Sequence, residues 1–383
     1  MVRTRFVCLA VGIWLCLMVL SASSGSAQDV DYFPDKITVD YATGFDVVYH
    51  TNYKVVTVRK PWRDAESNFE YVLVQSGTQM PKGFEPWQVF EVPVSNFVAL
   101  STVYLPHVDV LGLHPDLVGV SAFKYIYSPQ IRGMVQKRSL KELGYGASVD
   151  LELLVDLDPG LVMASGMGNP GHDIHPRLME MGIPIVLNGD YVETHPLGRA
   201  EWLKFTALFF NKETEAQHFF DDVASEYHRL AQLGRSAKGR PTVFSANSWN
   251  GTWHMPGGKS YIAQFLADAG AEYLWADNDR TVSLPLDFEV VLERAKDADF
   301  WINTGTWESV GDARAADERH LLFGALNAGR TFNRNARLHE NGGNDFWESA
   351  TIRPHKVLAD LIKVFHPALL PDHQLIWYRQ LTP

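Results

Sequence analysis

Between Asn211 and Gly234 apolar residues recur at spacings of three and four. Ala216, Phe219, Phe220, Val223, Tyr227 and Leu230 form one stripe along an otherwise polar segment, the mark of an amphipathic helix. Asn211 suits the N-cap, where a side-chain oxygen accepts an orphan N–H of the first turn. Glu213 and Glu215 fall where the helix dipole favours negative charge, and His228 and Arg229 lie towards the other end. Gly234 offers the left-handed residue that commonly closes a helix. At ~1.5 Å per residue the rod is roughly 33 Å long, about the diameter of a small domain. It predicts a bridge between two bodies.

On both sides the pattern changes to short apolar runs between helical stretches. Residues 97–100, 117–120, 161–164 and 183–187 read as buried strands, interleaved with helices over 104–111, 150–157, 175–181 and 197–210. After the rod, 242–246 and 300–303 read as strands, and 260–269, 288–295 and 355–365 as helices. Such alternation implies a mainly parallel sheet with helices on both faces. Residues 28–96 differ: 53–58, 69–74 and 89–94 are strand-like with no helix between them. The expected fold class is α/β, two Rossmann-like lobes bridged by a single long α-helix. A β-rich extension (28–96), an N-terminal lobe (97–210), the linking helix (211–234) and a C-terminal lobe (240–383) are the expected parts.

Composition narrows this further. Arg3 and Arg5, an apolar run over 6–20 and Gly25-Ser26-Ala27 resemble a cleaved signal peptide over 1–27. Both cysteines, Cys8 and Cys16, lie inside it, so the exported chain is expected to have no disulfide and no thiolate site. Loss of Arg3 and Arg5 takes the net charge from −11 to −13. No basic stripe is present of the kind a phosphate backbone demands, and no nucleic-acid partner is expected.

Ligands of open α/β sheets bind beyond the carboxyl ends of the strands. The segments there are rich in Gly, His and aromatics: Tyr125 follows one strand, Tyr145 a later turn, His172 and Tyr191 two more, and Trp249, Trp253, His254, Trp307 and Trp347 occupy the second lobe. They describe a cleft for a large, partly apolar ligand, although core packing is the alternative for each Trp. His172, His175, Glu193 and His195 also allow two readings, as ligands of a catalytic metal or as cleft-lining and helix-capping groups. The Gly166-x-Gly168-x-x-Gly171 run is interrupted by Pro170 and lacks an acidic partner at the dinucleotide spacing. No Gly-x-Ser-x-Gly elbow and no nucleophile–base set is evident.

The order of segments resembles the periplasmic solute-binding proteins of ABC importers for iron–siderophore, haem and cobalamin uptake. The run Phe97-Val-Ala-Leu-Ser-Thr, Gly112 and Leu117-Val-Gly-Val120 carries it. So do 139–154 with Asp158-Pro-Gly-Leu-Val-Met, the long linking helix, and Phe365-His-Pro-Ala-Leu-Leu-Pro. The resemblance covers roughly 97–371. It implies two lobes with modest hinge motion, a metal chelate between them, no catalysis and no resident cofactor. A ferric siderophore is the expected ligand, with haem or cobalamin as the alternative. The implied partner is an inner-membrane ABC permease, met by a monomer in the periplasm through one exposed Glu on each lobe. Those glutamates map onto Glu152 in Asp150-Leu-Glu-Leu-Leu and Glu289 in Asp287-Phe-Glu-Val-Val. The rival of another class is a secreted metal-dependent hydrolase using His172, His175, Glu193 and His195.

Overall fold

Alternating apolar positions build the first four strands, β1 (Phe45–Tyr49), β2 (Tyr53–Val58), β3 (Phe69–Gln75) and β4 (Val89–Val92). They form one sheet in that order, antiparallel except for the β3–β4 pair. The computed structural model that shows this describes residues 30–383. The expected signal peptide over 1–27, with Cys8 and Cys16, and its expected cleavage near Ala27 lie outside the described residues. The sheet's apolar face packs on the helix Pro196–Leu208 and the turn after it. The ring of Phe45 sits 4.9 Å from that of Trp202, and Phe90 stands edge-on to Phe209 at 5.5 Å. The extension and the N-terminal lobe therefore share one hydrophobic core. Residue 97 begins a new sheet but not a new core.

Two buried carboxylates fasten the extension. Glu201 accepts the backbone N–H groups of Asp40, Tyr41 and Ala42 at 2.7–2.9 Å. Glu193 accepts those of Thr43 and Gly44 and the indole N–H of Trp202. Buried anions with this many donors are satisfied groups.

The N-lobe sheet contains β5 (Phe97–Ala99), β6 (Leu117–Val120), β7 (Lys141–Glu142), β8 (Leu161–Ala164) and β9 (Ile185–Leu187), all parallel in the order 7-6-5-8-9. The C-terminal half holds β10 (Thr242–Ser245), β11 (Ser248–Trp249), β12 (Thr252–Met255), β13 (Glu272–Tyr273), β14 (Leu284–Leu286), β15 (Phe300–Ile302), β16 (Thr331–Asn333) and β17 (Arg379–Gln380). Its main sheet runs 13-10-15-16-17, parallel except at β17, and β11-β12-β14 form a small antiparallel sheet. Strand order reverses between β5 and β8 in one lobe and between β10 and β15 in the other. Each reversal opens a crevice at the strands' carboxyl ends.

The linking helix spans Glu213–Arg235, 23 residues. Two details differ from the sequence expectation. Lys212, not Asn211, is the residue before the helix. Asn211 has φ +50° and turns the chain, while its side chain holds Lys54 and Gln75. Gly234 is inside the helix; the backbone of Asp268 and Ala269 passes so close that a Cβ would collide with it. The glycine serves a close approach there, and the helix closes at Ser236. Ala216 packs in the N-lobe core, whereas Phe220, Val223, Tyr227 and Leu230 pack in the C-lobe core. One apolar stripe thus belongs to both lobes, as its length implies.

A second tie crosses between the lobes. The carboxylate of Glu348, 2% exposed, accepts the N–H groups of Tyr127 and Ser128 at 2.7 Å each. It anchors the two residues that lead into the helix Pro129–Gln136 of the opposite lobe, whose N-cap is Ser128. Burial pushes this carboxyl up to about 7 from an ordinary 4.5; the two donors oppose the rise, and Asp345 and Asp109 add to it. A raised folded-state value means that the protonated form favours folding. That stabilisation is complete below about pH 4.5 and is lost as pH climbs through about 7, at most ~3 kcal/mol. Urea unfolding should therefore show wild type losing stability relative to Glu348→Gln as pH rises from about 5 to about 8. Parallel pH profiles for the two proteins would refute this.

Candidate functional site

Between the lobes lies a cavity of about 310 Å³. Its C-lobe floor is the switch point itself, where Ala246 leaves β10 and Asn303 leaves β15. Both are non-glycine residues in the left-handed region, at φ +69° and +59°. Such backbone costs on the order of 1–3 kcal/mol per residue and needs surroundings that enforce it. Here the Trp301 indole donates to the Ala246 carbonyl at 2.7 Å, and the Asn303 amide oxygen accepts from the Tyr378 hydroxyl at 2.9 Å. The chain is bent sharply away from the sheet at the point where a ligand would rest.

The walls come from both lobes. Tyr191 and Thr194 follow β9, and Arg199 lies one turn into the helix Pro196–Leu208. Tyr261 begins the helix Tyr261–Asp268, His254 sits on β12, Arg334 follows β16, and Trp347 is on a later turn. Arg199 is a neutralised cation, its Nε donating to the Asp190 carboxylate at 2.8 Å. Burial opposes its charge, yet Asp190 and the Tyr261 hydroxyl hold the guanidinium above its ordinary value.

Arg334 differs. It lies over the rings of Trp347 and Phe346 at 4.3 and 4.8 Å, and no carboxylate among the described residues forms an ion pair with it. Burial pushes its guanidinium below the ordinary value, partly offset by the Tyr378 and Tyr261 hydroxyls. A half-buried cation set against aromatic rings, with no carboxylate partner among the described residues, is suited to an incoming anion. Tyr191 is fixed by its hydroxyl donating to the Gly166 carbonyl at 2.7 Å, and burial pushes that hydroxyl up.

Of the residues singled out in the sequence, Tyr191, His254 and Trp347 line this cavity. Tyr145 and His172 line another, of about 760 Å³, at the N-lobe switch point beside Leu100 and Ala164. Tyr125 is exposed under the Lys124 ammonium, where Gly343 of the other lobe abuts its carbonyl. Trp249 projects into solvent from β11, 69% exposed. Two expectations are corrected. Trp253 is fully buried; its indole donates to the Ser245 carbonyl and its ring packs among Phe244, Trp301 and Phe323. Trp307 stands edge-on to Trp301 in the same core. Both belong to the C-lobe interior, which a sheet of such short strands fills with large rings.

The sequence pattern did not single out the cavity's arginines or Tyr261. Arg334 comes directly after β16, at a strand's carboxyl end where ligand-binding groups are expected. Thr331-Phe-Asn333 is too short and too polar to stand out as a strand, and that concealed it. Three of the four candidate metal ligands are committed elsewhere. His175 is buried against Trp62 and Phe69, with ring centroids at 5.4 and 6.0 Å. Glu193 holds the extension, and Nδ1 of His195 accepts the Leu197 N–H at 3.1 Å to cap a helix. His172 remains exposed at the other cavity. Among the described residues no group of three or more His, Cys, Asp or Glu side chains is arranged to hold a metal ion.

Two lobes, parallel sheets with paired switch points and a cleft between them define an interlobe binding protein. Residues 98–320, more than half of the chain, match the family described as periplasmic binding protein, and the chain belongs to that family. An uncharacterized lipoprotein of Methanocaldococcus jannaschii is 24% identical across 94% of this chain and 92% of its own length. Among solved structures, a periplasmic haem-binding protein of Pseudomonas aeruginosa aligns with a TM-score of 0.55 at 17% identity, covering 76% of this chain and 99% of that one. A candidate iron-binding periplasmic solute-binding protein of Staphylococcus epidermidis gives 0.56 at 15% identity, covering 71% and 98%. The family consists of substrate-binding proteins, not enzymes.

Proposed function

We propose that this protein captures a ferric siderophore in the interlobe cavity and hands it to an inner-membrane ABC permease. The observation that carries the reading is Arg334, a cation with no carboxylate partner among the described residues, lying over the ring of Trp347 in the interlobe cavity. A ferric chelate offers anionic donor oxygens to such a group and an apolar ligand frame to Trp347 and Tyr191. The volume, about 310 Å³, is at the small end for small-molecule sites, which favours a compact chelate over haem or cobalamin. Export through a cleaved signal peptide, and action as a monomer, complete the proposal.

A ferric chelate quenches tryptophan fluorescence on contact, and Trp347 places an indole at the site. Titration of the purified protein with ferric catecholate and hydroxamate chelates, haem and cobalamin should give saturable quenching with a ferric chelate. Arg334→Ala should weaken that binding by ~1.5–3 kcal/mol, typical of a charge-assisted hydrogen bond. Saturable binding of haem or cobalamin alone would replace the siderophore reading. We further propose that Glu152 and Glu289 dock the two lobes on the permease.

A further inference from the structure

The N-terminal sheet lies outside the matched residues 98–320, yet its β2–β3 loop forms part of the cleft. That loop runs across the segments that follow β8 and β9. A Cβ at Gly166 or Gly168 would stand 2.7 Å from the Trp62 ring, and one at Gly189 would stand 2.7 Å from the Lys60 carbonyl. Gly168 also has φ +73°. These glycines make room for the loop, and no larger side chain fits while Trp62 is seated. Trp62 is further held between Phe69 and His175. With Trp62 pinned, the next residue, Arg63, joins Tyr191 and Arg334 in lining the interlobe cavity.

The charges in the cavity balance unevenly. Arg199 is neutralised by Asp190. Glu193 is occupied by the N–H groups of Thr43, Gly44 and Trp202. Arg63 and Arg334 are left, one on each side of the cleft, and neither has an ion-pair partner among the described residues. One guanidinium orients a ligand; two on opposite walls reward a ligand that is anionic at both ends, because each fork binds oxygen pairs in a fixed geometry.

We propose that the N-terminal sheet is a working part of the binding site, presenting Arg63 opposite Arg334 as a two-sided clamp for a chelate with at least two negative charges. This deepens the reading of the cleft as a chelate site and rests on it. The extension then adds selectivity by charge, excluding neutral chelates of similar size.

The test uses the full exported chain and two probes of similar bulk, the trianionic ferric tris(catecholate) and a neutral ferric trihydroxamate. Wild type should prefer the trianion, and Arg63→Gln should bind it roughly 10- to 100-fold more weakly. Arg63→Lys should recover part of the loss, keeping the charge without the planar fork. Because Arg63 is exposed, unchanged thermal unfolding in both variants should accompany these shifts. Equal affinity of wild type and Arg63→Gln for the trianion overturns the inference and leaves the chelate reading intact. Preference of wild type for the neutral probe overturns the selection by charge. Binding of neither probe overturns the chelate reading, and this inference with it.

Discussion

Replacing Lys54 by methionine is expected to destabilise the fold by about 3–5 kcal/mol, the usual cost of removing one partner from a buried ion pair. Lys54 projects from β2 into the core and is fully buried. Its ammonium donates to the Leu208 carbonyl at 2.7 Å, the Asn211 side-chain oxygen at 2.9 Å and the Glu213 carboxylate at 2.6 Å. The geometry has a clear electrostatic sense. Leu208 ends one helix and Glu213 begins the next, so a cation sits at a negative helix end while its partner sits at a positive one. Burial still pushes the Lys54 amine down and the Glu213 carboxyl up, against their mutual attraction. The pair does not fully offset its own desolvation, which is why each member depends on the other. Methionine fills the space of the lysine stem but deprives the buried Glu213 carboxylate and the Leu208 carbonyl of the ammonium. Lys54→Met with Glu213→Met should regain at least half of the loss, since apolar replacement of both charges is often neutral. Equilibrium unfolding in guanidinium decides it. A single variant within ~0.5 kcal/mol of wild type would mean that the ammonium is a passenger.

The Lys54 contact also explains what could and could not be read from the chain. Strands of four to six apolar or alternating residues were legible, and Leu117–Val120 and Leu161–Ala164 fall where their pattern places them. So was the linking helix, because its stripe must serve two cores. Its ends were not. Asn211 has the chemistry of an N-cap, but a buried lysine from a strand more than 150 residues away claims its side chain. Nor does a local pattern separate a Trp in a loop from a Trp under one: Trp249 and Trp253 share a hairpin, yet pairing of β12 with β14 turns Trp253 inward. The role of the extension was hidden for the same reason. Its strands are evident, but Gly166, Gly168 and Gly189 disclose their purpose only when Trp62 and Lys60 are seen against them. In each case the missing information is a tertiary partner.

Charge reversal at both Glu152 and Glu289 is expected to abolish uptake while leaving ligand affinity and thermal stability nearly intact. Each glutamate is exposed in the first turn of a short helix at a corresponding place in its lobe, Leu151–Asp156 and Phe288–Ala295. Each is accompanied on its helix by an exposed valine, Val155 and Val290. The surroundings differ in one respect. Glu152 has no ion-pair partner among the described residues, whereas Glu289 accepts from Arg319 at 2.7 Å. Docking through Glu289 would first have to break its pair with Arg319, so the N-lobe contact should be the stronger of the two. The helix-dipole interaction of a first-turn glutamate is worth only ~0.3–1 kcal/mol, so Glu152→Arg and Glu289→Arg should each shift unfolding little. Losing one partner of a desolvated interface charge pair costs ~2–5 kcal/mol of binding, and reversal adds repulsion. Iron-55 uptake by cells carrying the double variant, beside chelate binding by the purified protein, separates the two scales. Glu152→Arg alone should impair uptake more than Glu289→Arg alone. Normal uptake by the double variant would remove both residues from the docking surface and leave them as helix-opening acids.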